Sequence, residues 1–146
     1  MFYRIIVPTD FSACSEEAWR LARGVAAMSR GELILTHVLA ETPLYREGPS
    51  NTGTVRQVYE AARQWAEASL EDWVAKARGE GLSARAALRT GVAYAEIVTT
   101  ATDERADLIV IGTHGRGSFE RALLGSVADR VVRLAPCPVL TVREPA

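Results

Sequence analysis

The sequence predicts an α/β fold: a single doubly wound domain with a five-stranded parallel sheet, strand order 3-2-1-4-5, and helices on both faces. Three observations carry the class and its layering. Short apolar runs alternate with longer stretches of helical periodicity, in the order β-α-β-α-β-α-β-α-β. Strands one, two and four are continuous apolar runs rather than alternating ones, as strands covered on both faces require. At 146 residues, with no internal repeat or low-complexity segment, residues 1–146 read as one domain with room for a substantial core.

Arg4-Ile5-Ile6-Val7-Pro8 is strand one. Thr9 to Ser12 turns the chain, and Ser12 is placed to cap a helix with Glu16 and Glu17 in its first turn. Ala18, Leu21, Ala22, Val25 and Ala26 share one face of that helix, and Gly31 follows shortly after its end. Leu33 to Leu39 is strand two. Glu41 to Gly53 is the longest loop, rich in turn formers such as Thr42-Pro43 and Gly48-Pro49. A long helix follows on the stripe Val55, Tyr59, Ala62, Ala66, Leu70, Trp73 and Ala77, stopped by Gly79 and Gly81. Strand three, Ser83 to Arg89, alternates Ala84, Ala86 and Leu88 with polar residues, the pattern of an edge strand with one wet face. Tyr94, Ile97, Val98 and Ala101 mark a third helix, and Leu108 to Ile111 is strand four. Val127 to Leu134 is a fourth helix, broken by Pro136-Cys137-Pro138, and Val139-Leu140-Thr141-Val142 is strand five.

Composition narrows the function classes. The formal net charge is −1 and the basic residues are scattered, so neither nucleic acid nor an acidic membrane is expected as a partner. No charged and apolar leader opens the chain and no apolar run is long enough to span a bilayer, so a cytoplasmic location is expected. Cys14 and Cys137 are far apart with no C-x-x-C, which points to reduced, partly buried thiols rather than a metal or redox motif.

In doubly wound sheets ligands bind outside the carboxyl ends of the strands, where the strand order reverses. Here that point lies between strands one and four. Strand one ends in Pro8-Thr9-Asp10, and strand four runs into Gly112-Thr113-His114-Gly115, then nine residues, then Gly125-Ser126 at a helix start. Glycine lets backbone approach a ligand closely, and the first amides of a helix attract anions. Val38-Leu39, ending strand two, borders the same crevice. Two other phosphate motifs are excluded. Gly112 and Gly117 have P-loop spacing, but Ser118 stands where Lys is required. Glu120 occupies the third glycine position of the dinucleotide pattern that Gly115-Arg116-Gly117 would open.

The spacing G-x2-G-x9-G-[ST], with Pro8-Thr9-Asp10-Phe11-Ser12, Asp107 to Gly112 and the closing Cys137-Pro138-Val139-Leu140-Thr141-Val142, resembles the universal stress protein family across the whole chain. The intact glycine set is similar to that of the ATP-binding subgroup. The resemblance implies that Asp10, with the Pro8-Thr9 backbone, faces the ribose and adenine side, and that Val38 pairs with the adenine edge through its backbone. It places Gly112 against the ribose, and Gly115, Arg116, Gly125, Ser126 and Val127 around the phosphates. Mg²⁺ or Mn²⁺ would bridge phosphate oxygens, with no metal ligands from the protein. It also implies a homodimer through Val139 to Val142, which would cover an apolar sheet edge. The resting ligand is left open among ATP, ADP, AMP and cyclic AMP.

Each residue also has a plainer role to weigh. The glycines could only shape a turn, and Ser126 could cap its helix with Asp129 in a box-like pair. Asp10 could be a turn residue and Arg116 a solvated side chain. His114 reads as a structural residue or minor polar contact to the nucleotide, not a catalytic base. His37 reads as a packed strand histidine, Trp19, Trp65 and Trp73 as packing residues, and Asp107 as local structure at the far end of strand four. The loop from Glu41 is either a lid or an ordinary loop. Three functions follow in order of preference. The first is a nucleotide-binding stress or signalling module read by a protein partner. The second is a slow ATP hydrolase, and the third a nucleotide-free structural or chaperone-like dimer.

Overall fold

A computed structural model of the protein describes residues 2–40, 52–114 and 124–144. The elements are β1 (Arg4–Pro8), α1 (Ala13–Ser29), β2 (Glu32–Ala40), α2 (Thr52–Gly79), β3 (Ser83–Gly91), α3 (Ala93–Asp103), β4 (Leu108–Gly112), α4 (Ser126–Leu134) and β5 (Val139–Val142). The strands form one sheet in the order β3-β2-β1-β4-β5, and every pairing is parallel. The expected class and strand order are both observed.

The continuous apolar strands feed two cores. Ile5, Val7, Leu33, Leu35, Leu108 and Val110 face α1 and α2, where Ala18, Trp19, Ala22, Leu70, Val74 and Ala77 meet them. The intervening residues Ile6, Ile34, Ile109 and Ile111 face α3 and α4, against Ile97, Ala101, Ala128 and Val131. Successive strand side chains point to opposite faces, so a strand buried on both sides must be apolar at every position. β3 departs from this as an edge strand should. Ala84 is buried on the α1/α2 side, while Arg85 pairs with Glu32 and Glu104, and Arg89 with Glu96.

Several helix positions differ from the sequence expectation. In α1 the buried residues are Cys14, Ser15, Ala18, Trp19, Ala22 and Ala26, while Leu21 is exposed. The buried stripe is turned toward Cys14 and Trp19 because the start of α1 packs on the end of β4. In α2 the core positions are Ala66, Leu70, Val74 and Ala77; Ala62 is exposed and Trp73 half-buried. Its 28 residues span about 42 Å at 1.5 Å per residue. The core begins only at Ala66, so the first half of α2 lies largely on the surface. Ser12 caps α1 as expected, accepting from the Ser15 N–H. Asp107 has the local role expected of it: its Oδ2 accepts from the Tyr3 and Arg4 amides at 2.8 and 2.9 Å, tying the chain start to β4.

β2 and β3 are each nine residues, longer than the sequence pattern suggests, and pair from Glu32↔Ser83 to Ala40↔Gly91. β1 pairs with β2 only as far as Pro8↔Thr36. β2 therefore overruns β1 at the carboxyl edge of the sheet. Cys14 and Cys137 are free thiols, the first buried and the second half-buried. Among the described residues no helix is long and apolar enough to cross a membrane.

Candidate functional site

The overrun of β2 and the divergence of β1 and β4 open a cleft of about 470 Å³ at the carboxyl edge of the sheet. That size lies within the range of small-molecule sites. Each wall comes from a different element.

The first wall is the turn after β1. The Thr9 N–H continues the ladder by donating to the Thr36 carbonyl at 2.8 Å. Thr9 Oγ1 accepts from the Phe11 N–H at 2.9 Å and donates to Ser15 Oγ at 2.9 Å. Asp10 Oδ1 accepts from the Ser12 N–H at 3.0 Å. These side-chain acceptors replace ladder partners and bend the chain into α1. The bend requires Phe11 in the left-handed region, at φ 63°. A non-glycine residue held there is strained, and it persists because its surroundings over-determine it.

The second wall is β2. The Thr36 carbonyl points toward β1. Backbone groups of alternate strand residues share a direction. The Val38 N–H and C=O therefore face the same way, past the end of β1 and into the cleft. One donor and one acceptor side by side suit the edge of a nitrogenous base. His37 Nδ1 lies 2.7 Å from the Thr9 carbonyl, and its ring lies 5.0 Å from that of Phe11.

The third wall is the exit of β4 and the start of α4. A Cβ on Gly112 would lie 2.9 Å from Cys14 Sγ and 3.1 Å from the Cys14 backbone. This glycine is what lets α1 start close against β4. Thr113 is buried; its N–H donates to the Val142 carbonyl at 2.9 Å, and its Oγ1 lies 3.0 Å from His114 Nδ1. The Thr113 carbonyl accepts from the Gly125 N–H at 2.6 Å, and a Cβ on Gly125 would lie 2.8 Å from that oxygen. Gly125 is thus a closing residue that ties the two halves of the motif together.

The capping role weighed for Ser126 falls instead to Gly125, the N-cap of α4; Ser126 is the first helical residue. The reason is the Gly125–Thr113 contact, which fixes the helix start one residue earlier. Asp129 turns its carboxylate to Arg133 rather than back to the cap. Among the described residues no side-chain cap of α4 is seen. Its first amides, at Ser126 and Val127 on the cleft wall, have no acceptor within the helix, and the helix dipole favours an anion there.

Of the residues expected at the site, Pro8, Thr9, Asp10, Val38, Gly112, His114, Gly125, Ser126 and Val127 all line this one cleft. Gly115 and Arg116 lie outside the described residues, as does most of the loop from Glu41. The sequence reading missed Ser15, Thr36, Thr113, Ala93, Ile97, Ile111 and Ala128 as lining residues, and His37, expected only to pack within its strand, lines the cleft too. Ala93 and Ile97 are four apart on α3, so their shared face was legible, but not that it looks onto the cleft. Buried His114 Nε2 has no hydrogen-bond partner among the described residues. Among those residues, no cluster of three His, Cys, Asp or Glu side chains is placed to hold a metal ion. β5 lies at the sheet edge, with Leu140 exposed and Val142 buried.

Comparison with known proteins agrees with this architecture. The sequence profile of the Universal stress protein family matches residues 1–143. Universal stress protein MJ0531 of Methanocaldococcus jannaschii is 34% identical over 145 residues, covering 99% of this chain and 84% of that protein. The solved structure of MJ0577, from the same organism, superimposes with a TM-score of 0.86 at 29% identity, covering 100% of this chain and 99% of that one. A universal stress protein solved in complex with cAMP superimposes with a TM-score of 0.73 at 25% identity, covering 99% of both chains. With the family profile spanning nearly its whole length, this chain belongs to the universal stress protein family.

Proposed function

We propose that the protein is an adenine-nucleotide-binding module, with ATP as its ligand, that acts in stress response or signalling through nucleotide-dependent conformation or partner binding. The observation that carries this reading is the start of α4, with no side-chain cap among the described residues, opening on the switch-point cleft opposite the outward-facing Val38 backbone. An anion subsite and a base-edge subsite thereby share one cavity. The complex of a family relative with cAMP supports the same ligand class.

In this reading Val38 pairs with the adenine edge through its N–H and C=O, and Asp10 with the Pro8-Thr9 backbone faces the ribose. Gly112 packs beside the ribose. The Ser126 and Val127 amides hold phosphate oxygens, with Gly115, Arg116 and His114 alongside and Gly125 closing the turn. Mg²⁺ or Mn²⁺ would be carried in on the phosphates and neutralise their charge. β5, with Val139, Leu140, Thr141 and Val142, would pair with its counterpart in a homodimer and so cover the sheet edge. The hydrolase reading has less support. Asp10 is the only carboxylate among the described lining residues, and its Oδ1 already accepts from Ser12.

Isothermal titration of ATP with Mg²⁺ into nucleotide-free protein tests the reading. Saturable binding near one ATP per chain is expected. Absence of heat and of binding overturns it and leaves the structural dimer as the better account.

A further inference from the structure

We propose that His37 is a positioning residue for the nucleotide site, acting as a Nδ1-protonated latch that holds the Thr9–Ser12 turn, and with it Asp10, against β2. The inference rests on the nucleotide reading above for its functional consequence, and on geometry alone for the latch.

His37 Nδ1 lies 2.7 Å from the Thr9 carbonyl oxygen. A carbonyl can only accept, so Nδ1 must carry the proton, and in the neutral ring the lone pair is at Nε2. The bond joins β2 to the turn just beyond Pro8↔Thr36, the last pair of the β1–β2 ladder. It crosses at the point where backbone pairing stops and the cleft begins. The turn it holds is under tension, because Phe11 sits at φ 63°. The Phe11 ring is seated against His37 at 5.0 Å, Trp65 at 5.1 Å and Trp73 at 5.4 Å. His37 thus grips the turn twice, by a hydrogen bond on its backbone and by ring contact on its strained residue. Asp10 lies between those two grips.

Without the latch, the Thr9 carbonyl is released and the strained Phe11 conformation loses one support. Asp10 would then sample several positions, and the ordering cost would fall on ligand binding. The consequence depends on which ring nitrogen matters, and this separates a latch from a space-filling histidine. Asn places its amide nitrogen where His carries Nδ1, whereas Gln places it where His carries Nε2.

The test compares ATP affinity and melting temperature for wild type, His37→Asn and His37→Gln, together with histidine-selective ¹⁵N–¹H long-range correlation spectra of the wild type. The chain has two histidines, so the His37 signals are identified by their loss in either variant. The expected result is a Nδ1–H tautomer for neutral His37, near-wild-type affinity for His37→Asn, and affinity weakened about tenfold for His37→Gln. A Nε2–H tautomer, once either folded variant has assigned the signals, overturns the latch whatever the affinities. Equal affinity loss in the two variants, at equal melting temperature, overturns the positioning role. Wild-type protein that binds no adenine nucleotide overturns the functional reading instead, and the tautomer still judges the latch.

Discussion

Replacing Gly125 with Ala separates a glycine required by packing from one required only by a ligand. The new Cβ would lie 2.8 Å from the Thr113 carbonyl oxygen, well inside the 3.4 Å at which ordinary contact begins. That oxygen cannot swing away cheaply. It belongs to backbone anchored by the Thr113 N–H to Val142, and it accepts from Gly125 itself at 2.6 Å. Forcing the two apart incurs an overpacking cost of about 1–3 kcal/mol. Weakening the bond adds about 1 kcal/mol. The combined loss is about 2–4 kcal/mol. In a chain of this size the melting temperature should fall by roughly 5–12 °C, with no nucleotide present. The control is Gly24→Ala, in α1, where an added Cβ meets nothing within 4 Å. That variant should gain about 0.5–1 kcal/mol through helix propensity and reduced unfolded-state entropy. Thermal melts followed by circular dichroism, with and without ATP, read both effects. A Gly125→Ala protein that melts within roughly 1 °C of wild type would refute the packing argument.

Three other outcomes follow from single contacts. Asp107→Ala leaves the Tyr3 and Arg4 amides without their acceptor and should cost about 1–2 kcal/mol in urea unfolding, with nucleotide affinity unchanged because the contact lies at the amino edge of the sheet. The Arg85 hydrogen bond holds the Glu104 carboxyl below its ordinary range, so its contribution is present above the unfolded carboxylate pKa and is lost as pH falls through the lower folded value. Because the pair is partly exposed, Arg85→Ala should cost only about 0.5–1 kcal/mol at neutral pH, and the difference should shrink below about pH 4 in paired urea titrations. Burial, with Asp107 nearby, pushes the Cys137 thiol up, and Cys14 is buried. A disulfide reagent at about pH 8.5 should therefore modify both slowly in the native protein and quickly after unfolding.

The fold was legible because its signals are local. Two-residue and 3.6-residue periodicities report which faces are buried without reference to distant partners. Errors arose where the periodicity was satisfied by more than one stripe. In α1, Leu21 fits the helical spacing as well as Trp19 does, and only the approach of α1 to β4 decides between them. In α2, a stripe drawn from Val55 to Ala77 is continuous in sequence, yet its first half lies mostly at the surface, because the helix carries 28 residues against strands of nine. For the site, the strand exits and glycine spacing identified which turns converge. They did not show that Gly125 rather than Ser126 caps α4, nor that Thr113 joins the two halves of the motif.

By itself, then, the chain's sequence determined its class and the run of its elements, since these follow from short-range hydrophobic patterning, and its turn residues marked the sheet edge where the cleft opens. Tertiary structure alone decided the reasons for particular residues. Gly112 is a glycine because Cys14 arrives beside it, and His37 holds Thr9 because β2 overruns β1. Contacts of about 3 Å between segments far apart in the chain depend on crossover geometry and strand register, which no local window contains.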